Sequence, residues 1–219
     1  TGTPTVLVLV QGRPRVISAV ADDAAAIVMA YVPGMEGAEA IAEVLFGEHN
    51  PAGVLPFTYP RHPNALDTYD HKFTQTLPPP SAEAPGGFHP QFEFGHGLSY
   101  TTFAYSDLRL GRPVMGREDV QTMTVTVTNT GSRAGRHAVL LFVRQHYASL
   151  TPPVRRLRGF RKIDLLPGAS QTVRFEISAQ DLAFIGRNGA PLLEPGRFDA
   201  MVGGLSATFE FRDSAGSDH

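Results

Sequence analysis

The chain has 219 residues, 42% of them hydrophobic and 18% charged, with a formal net charge of −2 and a pI near 6.4. That balance excludes a general electrostatic pull toward nucleic acid or anionic lipid, and the longest apolar run, Val6–Val10, is far too short to span a bilayer. The absence of cysteine excludes a disulfide framework and thiolate chemistry, while the length suits one large or two small domains, of which two are expected.

The chain opens with Thr1-Gly2-Thr3-Pro4 and no initiator methionine, so Thr1 reads as a cut end as readily as a natural start. Val6–Val10 is a continuous β-branched and leucine run closed by Gln11-Gly12-Arg13-Pro14, the composition of a central strand buried on both faces of a parallel sheet. A second such run, Ala26–Tyr31, ends at Pro33-Gly34 and leads into a helix with Ile41, Val44 and Leu45 on one face, Glu36 and Glu39 in its first turns and Gly47 as its C-terminal cap. Asn50-Pro51-Ala52-Gly53 turns the chain into a third expected strand, Leu55–Tyr59, stopped by Pro60. Residues 1–60 therefore read as a piece of a mostly parallel α/β sandwich. A unit of this size buries only ~60% of its unfolded surface, so another chain or another part of a longer polypeptide is expected to complete the sheet.

Residues 61–90 carry Pro63, Pro78, Pro79, Pro80, Pro85, Pro90 and Gly86-Gly87, which defeat any regular ladder. Long loops of this kind often border ligand clefts, which makes Tyr69, His71 and Phe73, with Asp70 and Lys72 between them, candidates for contact with a substrate; a surface strap accounts for the same residues. The loop ends in Gln91–Phe103, QFEFGHGLSYTTF, whose five apolar side chains and two glycines read as a packed joint between two domains, against the alternative of an ordinary core-facing loop.

Beyond it the pattern changes to period two. Met123, Val125 and Val127 alternate with threonines over Thr122–Thr128, and Tyr105–Leu110, Ala138–Arg144, Gly159–Leu165, Gln171–Ile177, Gly196–Val202 and Ala207–Phe211 repeat the theme between turn residues. About seven short strands in ~110 residues predict an all-β, immunoglobulin-like or fibronectin type III-like sandwich over residues 104–212, followed by a frayed tail, 213–219.

Few of these residues carry chemistry. Glycoside hydrolysis uses two opposed carboxyl groups, and Asp22, Asp23, Glu36, Glu39, Glu93 and Asp107 show no spacing that singles out a pair. Glu36 and Glu39 suit the helix dipole, and Asp22-Asp23 a cap or turn. The histidines lack any HExxH or paired arrangement, so no metal is expected, and neither a nucleophile elbow around Ser99 nor a phosphate-binding glycine loop is present. Ser99 is expected to satisfy loop backbone. Arg155, Arg156, Arg158, Arg161 and Lys162, with Phe160 among them, suit a solvated strand face or an acidic partner better than nucleic acid.

Seven stretches, in order, resemble the C-terminal part of glycoside hydrolase family 3 enzymes, the β-glucosidases and their relatives: Gln11–Pro14, Pro33–Pro60, Phe92–Leu108, Val127–Gly135, Arg156–Gly168, Gln180–Phe184 and Glu194–Gly203. The resemblance implies the end of an α/β sandwich domain followed by a fibronectin type III-like domain. It also implies an exo-acting, retaining β-glycosidase without a cofactor, whose nucleophile and acid/base lie outside this chain, so that no catalytic residue is carried over and the isolated chain is inactive. Expected partners are the N-terminal catalytic portion of the same enzyme and a carbohydrate, with no nucleic acid and no membrane; a homodimer is compatible, and a periplasmic or secreted location follows from the resemblance alone. The competing reading is a non-catalytic carbohydrate-binding or adhesion module built on the fibronectin-like half, which the absence of tryptophan and the presence of only six tyrosines disfavour.

Overall fold

A computed structural model describes residues 2–76 and 87–213. Pro78–Pro80, Pro85, Gly86 and most of the 213–219 tail lie outside the described residues. The chain forms two compact units, Thr1–Tyr69 with Thr76–Tyr100, and Asp70–Gln75 with Thr101–His219.

In the first unit β1 (Val6–Val10) pairs in parallel with β2 (Ala26–Tyr31), in the register Val6 to Ala26 and Leu9 to Met29. Parallel strands need a crossover, and here it carries the short helix α1 (Ser18–Ala21), absent from the sequence expectation. Alternation along the strands sends Leu7, Leu9, Ile27 and Met29 toward a core of Ile17, Ala21, Leu55 and Tyr59. On the opposite face Val6 and Val10 are open, Val10 being 62% exposed. No residue of β1 is fully buried, and among the described residues β1 has one neighbouring strand, so the central strand covered on both faces is not realised by these residues alone.

Helix α2 (Gly37–Phe46) ends as expected, with Gly47 left-handed at φ 79° and its N–H on the Val44 carbonyl. The expected strand Leu55–Tyr59 is a correction. Pro56 removes a donor in its middle, and the segment is laced at its ends only: Leu55 N–H to His96 O and Gly95 N–H to Leu55 O, then Tyr59 N–H to Phe92 O and Gln91 N–H to Tyr59 O. A single antiparallel bridge, Tyr59 to Phe92, is all that remains of a ladder. The approach is close enough that a Cβ on Gly97 would stand 2.4 Å from the Gly53 carbonyl oxygen. Ser99 donates to the Asn50 side chain at 2.8 Å, and Asn50 Oδ1 also accepts the Tyr100 N–H at 2.8 Å. The described part of 61–90 is irregular apart from a 3-10 turn, Phe73–Thr76.

The second unit is a two-sheet sandwich. One sheet has three strands in the order β3 (Phe103–Leu110), β5 (Val120–Asn129), β8 (Ser170–Ser178). The other joins β4 (Val114–Met115), β12 (Leu205–Phe211), β11 (Gly196–Val202), β6 (Gly135–Gln145) and β7 (Arg156–Leu165) in that order. Two-residue strands β9 (Phe184–Ile185) and β10 (Pro191–Leu192) form a separate ribbon, too short to leave an alternating signature. The inward residues Met123, Val125 and Val127 meet Val139, Leu141, Phe198, Ala200 and Phe209 in one core. Val202 pairs with Leu205, which leaves a two-residue hairpin turn whose Gly203 and Gly204 both have positive φ, 57° and 86°, as the turn type demands.

One polar side chain is fully buried at the end of this core. Asn129, 0% exposed, donates through Nδ2 to Arg133 O at 2.7 Å and Leu165 O at 3.0 Å, and its Oδ1 accepts from Thr101 Oγ1 at 2.6 Å and the Gly131 N–H at 3.1 Å. It ties the start of β3, the turn after β5 and the end of β7 together. Replacing Asn129 by alanine strands several buried partners, and the expected loss is ~3 kcal/mol or more in denaturant unfolding of the second unit, against about 1 kcal/mol for Thr101→Val. In the first unit Gly97→Ala is expected to loosen the 91–97 segment, read as faster amide exchange at Leu55 and Gly95, whose N–H groups bond across that approach.

Candidate functional site

Because β1 and β2 run in parallel, their carboxyl ends lie side by side, the place where parallel sheets present functional groups. There the register slips between Leu9 and Val10, and Tyr31 takes φ 55°, a left-handed conformation that costs a non-glycine residue of order 1–3 kcal/mol. Just beyond β1, the Gln11 amide donates to the Tyr59 hydroxyl at 2.9 Å, which donates to the Arg15 carbonyl at 2.7 Å. Tyr59 is buried between Phe57 and Phe92, so this chain of bonds anchors the Gln11–Pro14 turn. Burial pushes the Tyr31 hydroxyl above its ordinary pKa.

Four of the six carboxylates singled out by sequence have local places in the fold. Asp22 closes α1, Glu36 stands at the N-cap of α2 and Glu39 in its first turn, and Asp107 occupies the left-handed position of a bulge in β3 at φ 54°. Among the described residues no group of three or more His, Asp or Glu side chains is arranged to hold a metal ion.

The three loop candidates are placed differently from one another. Tyr69 belongs to the first unit, its ring stacked on Phe94 at 4.4 Å between centroids. His71 and Phe73 belong to the second unit: the His71 carbonyl accepts the Val154 N–H at 2.9 Å, and Phe73 is 63% exposed. Between them Lys72 bridges to Pro153 and donates to the Thr151 carbonyl at 2.6 Å. Asp70–Gln75 is thus a strap on the second unit, a role that requires partners about 80 residues away in the chain and is invisible to local patterning.

Behind the strap is a cavity of about 200 Å³. Its walls are the 148–153 loop, the start of β7 with Arg156 and Arg158, and the Leu182–Ile185 stretch, with Asp70, Lys72 and Gln145 at its polar side. The basic run therefore does not form one patch. Arg156 and Arg158, two apart on a strand, share a face, and both donate to the Ala183 carbonyl, at 3.0 and 3.3 Å. Arg155 lies over the Phe142 ring at 4.8 Å and Arg161 over Phe175 at 5.7 Å. The sharing had a trace in the period-two spacing of Arg156 and Arg158, a signal outweighed by the density of charge, and the stacking had none.

Two titratable pairs stand on the sandwich. Asp199 is pushed up by burial, but the neighbouring His146 imidazole, its Nε2 2.9 Å away, and a hydrogen bond from Thr208 outweigh it and hold the carboxyl below its ordinary value. The Tyr105 hydroxyl and His137 Nε2 are 2.6 Å apart, with Phe103 stacked on the imidazole at 4.3 Å. Burial pushes Tyr105 up to about 12 and His137 below its ordinary value.

Residues 1–100 match the glycosyl hydrolase family 3 C-terminal domain, and residues 137–206 the fibronectin type III-like domain. The chain carries the C-terminal domains of glycoside hydrolase family 3. A lysosomal β-glucosidase of Dictyostelium discoideum is 41% identical over 215 residues, covering 93% of this chain and 25% of the relative. A periplasmic β-glucosidase of Salmonella typhimurium is 39% identical over 216 residues, covering 94% and 28%. Among solved structures, a β-glucosidase from Erythrobacter marinus superposes with a TM-score of 0.87 at 36% identity over 95% of this chain and 28% of that one. The chain thus spans roughly a quarter to a third of the relatives' length.

Within the family 3 stretches, the residues that stand out hold structure. Gly97 and Asn50 fasten the segment that leads out of the C-terminal domain, and Asn129 locks the fibronectin-like sandwich. No helix among the described residues is long and apolar enough to cross a membrane.

The lowered His137 pKa has a defined sign. The unfolded chain binds the proton more readily, so the sandwich loses stability as pH falls through the ordinary histidine value of about 6.5, and is unaffected by this group above it. The melting temperature is expected to drop between pH 7.5 and 5, and the drop to shrink in His137→Gln when both are followed by circular dichroism.

Proposed function

We propose that this chain is the C-terminal scaffold portion of an exo-acting, retaining β-glycosidase of β-glucosidase type, which hydrolyses O-glycosidic bonds of β-glucosides or oligosaccharides. The nucleophile and the acid/base are supplied by residues outside these 219. The observation that carries this reading is the bare β1–β2 pair: two parallel strands with, among the described residues, one neighbour each, and apolar side chains such as Val10, Val32 and Met35 open on the first unit. Such a surface suits the rest of an α/β sandwich. Asp22, Glu36, Glu39 and Asp107 have local places in the fold, as set out above, and the relatives' names support the reaction.

The N-terminal catalytic portion of the same enzyme is the proposed occupant of the bare sheet edge. A second copy of the chain is the competing occupant, which sedimentation of the isolated chain distinguishes. Tyr69, His71 and Phe73 are each proposed to contact substrate, with the exposed Phe73 ring the strongest support among them. A periplasmic or secreted location is supported by the name of the Salmonella relative.

The test is an assay of the chain alone on an aryl β-glucoside, repeated after addition of the N-terminal catalytic portion. No turnover is expected from the chain by itself, and turnover on addition; hydrolysis by the isolated chain would overturn the assignment of roles.

A further inference from the structure

We propose that the free edge of β8 docks a second copy of this chain, joining two copies of the three-stranded sheet into one antiparallel sheet about a two-fold axis at Phe175. The inference is independent of the glycosidase reading, and it names a different edge from the bare β1–β2 pair.

The hydrogen bonds of β5 show which backbone groups of β8 are unpaired. Along an antiparallel strand, the N–H and C=O groups of successive residues point to alternate sides. On β5, Thr122 O accepts the Gly111 N–H at 2.7 Å on the β3 side, and Asn129 donates to Ala169 O at 2.9 Å on the β8 side. Even-numbered residues of β5 therefore bond toward β3 and odd-numbered ones toward β8. Met123 stands opposite Phe175 and Val125 opposite Val173, so the odd-numbered residues of β8 take the bonds to β5. The backbone groups of Thr172, Arg174 and Glu176 then face out from the edge. The Ser178 N–H, on that same side, is taken by the Asp181 carboxylate at 2.7 Å. Among the described residues β8 has β5 as its one neighbouring strand, and no backbone hydrogen bond from another segment reaches Thr172, Arg174 or Glu176.

The other edges of the sandwich carry guards against strand addition. A bulge at Asp107 breaks β3, β4 has two residues, and β7 bears a run of like charges. In contrast β8 keeps nine residues in unbroken register with β5 and holds no proline.

The order of residues in β8 selects a second copy as the occupant. Outward backbone groups on even-numbered residues mean that even pairs with even across a two-fold axis. Centred on Arg174 or on Glu176, such a pair sets like charges opposite each other; centred on Val173, it sets both charges opposite hydroxyls. Centred on Phe175, it sets Arg174 opposite the partner's Glu176 and Glu176 opposite the partner's Arg174. In that register Val173 meets the partner's Ile177 on the core face, so apolar and charged rows both match. The Arg174 and Glu176 side chains are 60% and 55% exposed and bond to each other along the strand at 2.6 Å, with Arg174 also donating to Thr122 Oγ1 at 3.2 Å. In the pair each carboxylate lies between two guanidiniums, and each opposed Arg174 and Glu176 exchange both of their backbone bonds.

Sedimentation velocity of the full chain at about 100 μM tests this. A dimer is expected, with its association constant reduced roughly ten-fold or more in Arg174→Glu and in Glu176→Arg. Mixing the two variants is expected to restore it, because the mixed pair again opposes unlike charges. Thr172→Pro, which removes an outward N–H and no bond to β5, is expected to weaken the dimer as well. Circular dichroism is expected to show all three variants folded like the parent, since each change lies on the exposed face. A chain that stays monomeric, a dimer that neither charge reversal weakens, as one built on the bare β1–β2 edge would be, or variants that fail to associate when mixed would each overturn the proposal. None of those results bears on the glycosidase assay.

Discussion

A parallel β-strand cannot satisfy its backbone with one neighbour. Its N–H and C=O groups point to both sides, and the side chains of β1 and β2 are apolar on both faces. From that requirement follows the character of the first unit: a small core on one side built from Ile17, Ala21, Leu55 and Tyr59, and open valines on the other. The second unit has no such debt to outside strands. Its sheets close over a core of their own, with inward residues such as Met115, Met123 and Phe211 fully buried. The two units thus differ in what they need, because antiparallel sheets tolerate a wet face and parallel ones do not.

Polar anchors do the work of locking irregular segments where ladders stop. Asn129 uses both ends of its amide on four partners, and the Gln11–Tyr59–Arg15 relay fastens the turn after β1 by the same means. Asn50 receives the Ser99 hydroxyl and the Tyr100 N–H, so the segment after α2 and the Gly97–Tyr100 stretch are held by one carboxamide. In each case a buried or half-buried side chain replaces backbone pairing that proline or a turn has removed.

The basic run on β7 shows how a sheet redistributes charge. In the sequence it is five cations within eight residues. On the strand Arg156 and Arg158 turn toward the Ala183 carbonyl, while Arg155 and Arg161 cover phenylalanine rings. A linear density of charge becomes an internal donor cluster and two stacked guanidiniums, which a polyanion would not meet as one surface.

The order of residues by itself determined the two-part architecture, the seven main strands of the sandwich, the helix with its Gly47 cap and the family, because period-two and helical patterns, turn glycines and motif order are local and survive without coordinates. It misjudged Leu55–Tyr59, whose composition is that of a strand, because Pro56 and the partner segment 91–96 decide pairing, and a partner is not a local property. It placed Tyr69, His71 and Phe73 in one loop, which contacts divide between the two compact units. Only the tertiary structure made Asp70–Gln75 a strap and brought Lys72 to the same cavity as Arg156, for the physical reason that backbone bonds to residues 151–154 span a separation no window of sequence can see.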